Sequence, residues 1–439
     1  MASIARSDLF CWADIDELGD LERLEVLFRH LPDEPLMERL EARRGNGRND
    51  YPVRAVWNSI LAAIVFGHPS TESLCRELKR NAQLRQVCGF DIYRGIEAVP
   101  KAWVYTRFLR SLLRHEEELL GIFVELSRRC YDELPGFGRE LGCDGKALAS
   151  VARRSGRCER GDRRGDHEAK WGVHTHRSKG TDGTIRETVK RWFGYKLHLI
   201  ADTSYELPVA FTVLPANTNE MPVVHRLLSG LESRRADVLR KCEVFTGDRG
   251  YDDGKLVTRL WDEYEIKPVI DIRNTWKDPD PTRCVPGREN VTYDWSGTIR
   301  CMCPAMHTER EMAFGGFEKE RMTLKYRCPA RHYGYECHGM HRCPIRSSVR
   351  IPLSTDRRIF TPMARSSYRW KTLYRRRTAL ERINSRIDTS FGFEHHTIRG
   401  LAKMSTMVTI SLSVMLALAV GRAAESRPDL MRSLVRSAA

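Results

Sequence analysis

Residues 141–146 read LGCDGK and residues 243–251 read EVFTGDRGY. In each, a short apolar run of strand character ends at an aspartate, Asp144 in the first and Asp248 in the second. A third acid, Glu381, falls in YRRRTALERINSRIDTSFG at 374–392, a pattern that predicts a helix. There Tyr374, Arg377, Glu381 and Asp388 are spaced by 3, 4 and 7 residues. At about 3.6 residues per turn they share one face. Two strand-borne aspartates, a helix-borne glutamate and basic neighbours are what metal-dependent cutting of a phosphate backbone requires. The acids offer hard oxygen ligands to Mg2+, and the cations balance phosphate charge. The plainer reading of Glu381 is a solvated helix acid paired with Arg377 or Arg386.

Outward from the aspartates, RWFGYKLHLIAD at 191–202 alternates Phe193, Tyr195, Leu197 and Leu199 with Gly194, Lys196 and His198, a strand signal. Leu207–Leu214 reads as a nearly all-apolar strand, and Val223, Val224, Leu227, Leu228 and Leu231 mark a helix. Asp248 closes the next strand, a helix with Leu256, Leu260 and Tyr264 follows, and Lys267–Asp271 makes one more strand. The order is strand, strand, strand, helix, strand, helix, strand. It implies a mixed sheet with helices packed on it, the α/β arrangement of the ribonuclease-H-like fold. If the first and fourth strands are neighbours, the two aspartates meet. The Gly- and Arg-rich stretch 151–191 lacks hydrophobic periodicity and reads as a long loop.

The flanks set the wider organisation. Residues 1–130 read as a helical domain. In it Val53, Val56, Trp57, Ile60, Leu61 and Ile64 form one stripe, and Trp103, Phe108, Leu109, Leu112 and Leu113 are interleaved with Arg107, Arg110 and Arg114. Such helices serve DNA contact or helical packing and dimerisation. Residues 139–272 make the first part of the α/β domain, 273–350 an insertion, 351–422 its C-terminal helices and 423–439 a tail. The chain has 439 residues, with 73 Lys plus Arg against 58 Asp plus Glu, a net charge of +15. That excess suits a polyanionic partner. The polar, acidic N-terminus carries no signal-peptide pattern. The apolar run Met407–Val420 is shorter than the roughly 20 residues that span a bilayer, so a buried helix, no membrane partner and a cytoplasmic location are expected.

These motifs together resemble insertion-sequence transposases of the DDE type, in the bacterial group with an insert between the second Asp and the Glu. The resemblance runs from about residue 50 to 422. The segment around Asp144 is similar to the family's first catalytic motif, GDRGYD at 247–252 to its second and RTALERINSRI to its third. The third motif in the family is Tyr, two residues, Arg, three residues, Glu, six residues, Lys. Tyr374, Arg377 and Glu381 fit it, whereas Asp388 stands where the family has lysine. The resemblance implies catalytic and Mg2+-binding (or Mn2+-binding) roles for Asp144, Asp248 and Glu381, with two ions. It implies binding of terminal inverted repeats, hydrolysis at the element ends and joining of the 3′-hydroxyls to target DNA. Double-stranded DNA is then the partner, and synapsis of two ends implies a homodimer or larger. Tyr374 and Arg377 are DNA contacts by the same resemblance. Arg249, Lys196, Arg382 and Arg386 are further candidates, the last two as substitutes for the missing lysine. Lys196 and His198 read first as a solvated strand face that could approach DNA, and the adjacent His395 and His396 read as structural. Because the family lysine helps hold terminal DNA, Asp388 keeps open a catalytically impaired DNA-binding derivative.

The insertion holds six of the thirteen cysteines. With no secretion signal, reduced thiols or a metal site are expected rather than disulfides. Cys301, Cys303, Cys328, Cys337 and Cys343 are the candidates for a structural Zn2+, which takes four ligands. Their spacing does not repeat a CxxC pair, so free thiols in a small β-rich insert remain the alternative.

Overall fold

The computed structural model describes residues 19–45, 50–152, 165–179, 185–277, 280–303, 307–337, 339–345 and 348–432. Its first elements are helices: α1 (Glu22–His30), α2 (Glu34–Arg44), α3 (Val53–Val65), α4 (Thr71–Arg80), α5 (Ala82–Cys88), α6 (Ala102–Leu112) and α7 (Glu116–Glu133). Side-chain caps fix two of the starts. Ser70 Oγ accepts from the Ser73 amide and Asn81 Oδ1 from the Leu84 amide. On α3 the expected stripe is buried, and the Trp57 indole donates to Asp33 Oδ2 at 2.6 Å, so its polar atom is satisfied. α6 departs from the expected stripe. Tyr105 and Leu112 face the core, while Trp103 is 56 % exposed beside the Arg107 guanidinium.

The central sheet is built from β1 (Glu140–Ala149), β2 (Lys170–Lys179), β3 (Ile185–Asp202), β4 (Leu207–Pro215), β5 (Val244–Gly247) and β6 (Lys267–Ile270). β3 pairs antiparallel with β2, β1 and β4, while β1–β5 and β5–β6 are parallel. The parallel steps are bridged by α8 (Glu220–Lys241) and α9 (Gly254–Asp262), as parallel neighbours require a crossover. Contrary to the expected long loop at 151–191, residues 170–179 form a ladder with 185–194. Trp171, Val173 and Val189 are all exposed there, so no buried face imposes alternation on the sequence. The part of that stretch at 153–164 and 180–184 lies outside the described residues.

Between β6 and the last helices stand a four-stranded sheet, of β7 (Thr282–Val285), β8 (Arg288–Asp294), β9 (Ile299–Cys303) and β10 (Thr308–Glu311), and a three-stranded one, of β11 (Ala313–Glu318), β12 (Thr323–Arg327) and β13 (Ser348–Pro352). The short α10 (Pro329–Tyr333) lies between β12 and β13. These sheets share a core of their own, which includes Val291, Tyr326, Ile351 and Phe360.

The helix expected around Glu381 is broken. It forms α11 (Tyr368–Arg375), α12 (Thr378–Ser385) and a π-turn at Arg386–Ser390. The final helix, α13 (Leu401–Ala424), is long and apolar enough to cross a membrane, but 89 % of its most apolar window is buried inside the protein. It packs on α7, α1 and β4.

Candidate active site

Strand register does what the strand order suggested. In the parallel pair β1–β5, Glu140, Leu141 and Gly142 stand opposite Val244, Phe245 and Thr246. Asp144 and Asp248 each lie two residues further on, so they reach the same level on strands about 4.8 Å apart. The approach depends on Gly142, where a β-carbon would come within 2.5 Å of Thr246 Oγ1. Asp144 is not at a strand end as its sequence suggested, because β1 continues to Ala149. Asp248 lies just past β5 and caps a short turn, with its Oδ1 accepting from the Gly250 amide at 2.7 Å.

Burial pushes the Asp144 carboxyl up to about 6. The Gly145 amide and Arg377 pull it down, and the charges of Asp248 and Glu220 push it further up. Asn384 Nδ2 donates to Asp144 Oδ2 at 2.8 Å, so α12 is laid along β1. Glu381, one turn earlier on α12, is held by Arg377 at 2.9 Å. Arg377 in turn lies over the Tyr374 ring, which stacks on Trp370 at 4.8 Å between centroids. The third acid therefore faces its arginine, and Arg377 is the link between Glu381 and Asp144. Among the described residues no three His, Cys, Asp or Glu side chains stand in metal-holding geometry.

The remaining candidates separate. Arg249 pairs with Asp271 rather than with Asp248. Arg382 and Arg386 both turn to Glu206. Asp388 is met instead by Lys146 from β1, a residue with an 8 % exposed side chain. Lys196 and His198 are not on a solvated face. Lys196 Nζ binds Glu220 Oε1 at 2.8 Å, and burial pushes the 2 % exposed His198 imidazole down to about 4. His396 is half-buried and accepts from the Ile398 amide through Nδ1, a structural contact.

Three residues at this site were not singled out from sequence: Lys146, Glu220 and Asn384. Lys146 is two residues beyond Asp144, hence on the same strand face, and Asn384 is three beyond Glu381 on the helix; both spacings were legible. Glu220 follows the Asn219 cap of α8, and only the tertiary fold brings it here.

The five cysteine candidates line one cavity of about 30 Å³ where β9, β12 and the loop after α10 come together. Burial pushes the Cys301 thiol up to about 11, with Cys328, Cys343 and Cys303 adding to the rise. Among the described residues they stand together as free thiols, with no three ligands in metal-holding geometry.

The Transposase DDE domain model matches residues 165–417, more than half of the chain. This chain belongs to the DDE transposase family. A second model, Transposase domain (DUF772), matches residues 14–111 across the N-terminal helices of the transposase. Glu220, Asp248 and Glu381 fall inside the DDE match, and Asp144 lies ahead of it. No curated protein matches the transposase. A solved structure, the piggyBac transposase synaptic complex with hairpin DNA, is 13 % identical over 97 % of this chain and 80 % of that one, with a TM-score of 0.36. So slight a likeness carries no argument about the site.

Proposed function

We propose that this transposase binds the terminal inverted repeats of its element, cuts the strands there and joins the freed ends to target DNA, with Asp144, Asp248 and Glu381 as its catalytic acids on a ribonuclease-H-like sheet. The observation that carries the reading is the β1–β5 register, which leaves Asp144 and Asp248 each two residues beyond the paired Gly142 and Thr246, with Asn384 of α12 bonded to Asp144. Two Mg2+ or Mn2+ ions, when bound, would supply an activated attacking oxygen and a stabilised leaving oxygen. The side chains define what the protein must do for this. Asn384 orients the Asp144 carboxylate, and Arg377 holds Glu381 and must release it for the three acids to converge. Arg377 and Tyr374 then face DNA. The exposed Trp103 and Arg107 of α6 suit backbone and base contacts within a helical DNA-binding unit. We propose further that the chain works as a dimer or larger assembly on two DNA ends, at the bacterial nucleoid, and that the cysteine-lined cavity in the insertion draws in around one structural Zn2+. Zinc content of the purified chain, one per chain or none, decides the last point.

Asp144→Asn, Asp248→Asn and Glu381→Gln should each abolish Mg2+-dependent nicking of DNA carrying the element ends, by a factor of 100 or more on the order of lost metal catalysis, while DNA binding persists. A wild-type chain that binds those ends but never nicks them would instead be the impaired DNA-binding derivative to which Asp388 points.

A further inference from the structure

Glu220 is the first residue of α8, where an acid ordinarily faces solvent and favours the helix N-terminus. Here it faces inward. A β-carbon on Gly145 would come within 2.9 Å of Glu220 Oε1, and one on Gly250 within 2.9 Å of Glu220 Oε2. The carboxylate thus lies against the strand backbone directly after Asp144 and in the turn after Asp248, which explains why both positions carry glycine. Asp248 Oδ1 would meet the same Gly250 β-carbon at 2.8 Å, so the two carboxylates are neighbours. Lys196 closes the other side at 2.8 Å. Gly145 stands opposite His198 in the β1–β3 register, and the buried His198 Nε2 meets no hydrogen-bond partner.

We infer that Glu220 is a further carboxylate of the cation-binding group, adjoining Asp248, and that Lys196 is the counterion it holds in place of a divalent cation. The inference rests on the reading of Asp144, Asp248 and Glu381 as the site. Two neighbouring part-buried carboxylates repel each other unless a cation lies between or beside them. A protein ammonium does this for Glu220 alone, whereas a divalent ion with oxygen ligands could serve Glu220 and Asp248 together. Binding of that ion then competes with the Lys196 contact. The freed ammonium stays against Gly145, the residue after Asp144.

The test is Mn2+ binding by the full-length chain, read from loss of the free-ion paramagnetic resonance signal. Glu220→Gln keeps the shape and should raise the half-saturating Mn2+ concentration about tenfold, with Glu220→Asp recovering part of the loss. Lys196→Met removes the competitor and should lower the midpoint several-fold. That opposite sign separates an exchangeable counterion from a merely structural ion pair, whose loss would weaken binding in both variants. An unchanged midpoint in Glu220→Gln, or an unchanged or raised one in Lys196→Met, overturns the inference. Should Glu220→Gln fail to fold, Lys196→Met decides alone. Asp144→Asn and Asp248→Asn serve as references. If they weaken Mn2+ binding and Glu220→Gln does not, this inference falls by itself; if neither matters, the three-acid reading falls as well.

Discussion

Asp388 is the residue at which this chain departs from its family's third motif, and its partner changes how that departure reads. Lys146 reaches it from β1, two residues after Asp144 on the same strand face. The strand therefore brings a cation to the spot where the helix carries an acid. Lys146 is buried to 8 % and Asp388 exposed to 38 %, so the pair is only half shielded from solvent. Removing one partner from a fully buried pair costs about 3–5 kcal/mol, because the other charge is left without compensation. With Asp388 partly in water, Asp388→Ala should cost about 2 kcal/mol in urea unfolding. The double variant Lys146→Met with Asp388→Leu should recover most of that loss, since no charge stays stranded. If the double variant is as unstable as the sum of the single ones, the pair is not what holds these positions.

At the level of elements, the strands were readable where burial imposes a pattern. Tyr195, Leu197 and Leu199 are buried to 1 % or less, and their alternation declared β3. The β2 ladder, solvated on its exposed positions, declared nothing. The broken α11–α12 helix was hidden for another reason. No proline or glycine interrupts 368–391 to mark the break, at which Arg376 meets Glu140 of β1. The acids were legible as types at strand and helix positions. The Arg377 partner of Glu381 was legible too, from their i,i+4 spacing, whereas the pairing of Lys196 with Glu220 depends on three-dimensional approach. Asp166 shows how strongly one unremarked residue can join elements. Its carboxylate accepts from Ser150 Oγ after β1 and Tyr195 Oη on β3, both at 2.6 Å, from the Ala169 amide, and from the Gly400 amide at the start of α13. Burial pushes this carboxyl up, but the four hydrogen bonds outweigh it and hold the group below its ordinary value. A lowered folded pKa means stability that is present above the unfolded value of about 3.9 and is lost as pH falls through the folded one. Asp166→Asn should cost roughly 2–3 kcal/mol at neutral pH. It should also flatten the fall of stability below about pH 4 that the wild type shows in acid titration of its denaturation midpoint.

Across the whole molecule, α13 is the element that both the N-terminal helices and the central sheet are built around. One continuous core includes Leu24 and Leu27 of α1, Leu61 of α3, Phe123 of α7, Leu199 of β3 and Leu412 and Leu416 of α13. The inserted sheets keep a separate core. The helical unit that matches one transposase model and the sheet that matches the other are thus held on a single apolar rod, which α1 approaches closely at Gly421. A β-carbon there would come within 2.3 Å of Val26 Cγ1 and 3.0 Å of His30 Cδ2, so α1 can lie on α13 only while position 421 has no side chain. Gly421→Leu should force the helices apart at a cost of about 3 kcal/mol, the upper end for overpacking. Because the core is shared, the loosening should spread beyond the point of contact. Hydrogen exchange should quicken in α1, α7, α13 and β4 together, while β8, β9, β12 and β13 in the insertion keep their wild-type protection. Quickening confined to α1 would mean that the N-terminal helices are a separately stable unit leaning on the sheet. In that case the N-terminal helices and the central sheet would not be coupled through α13.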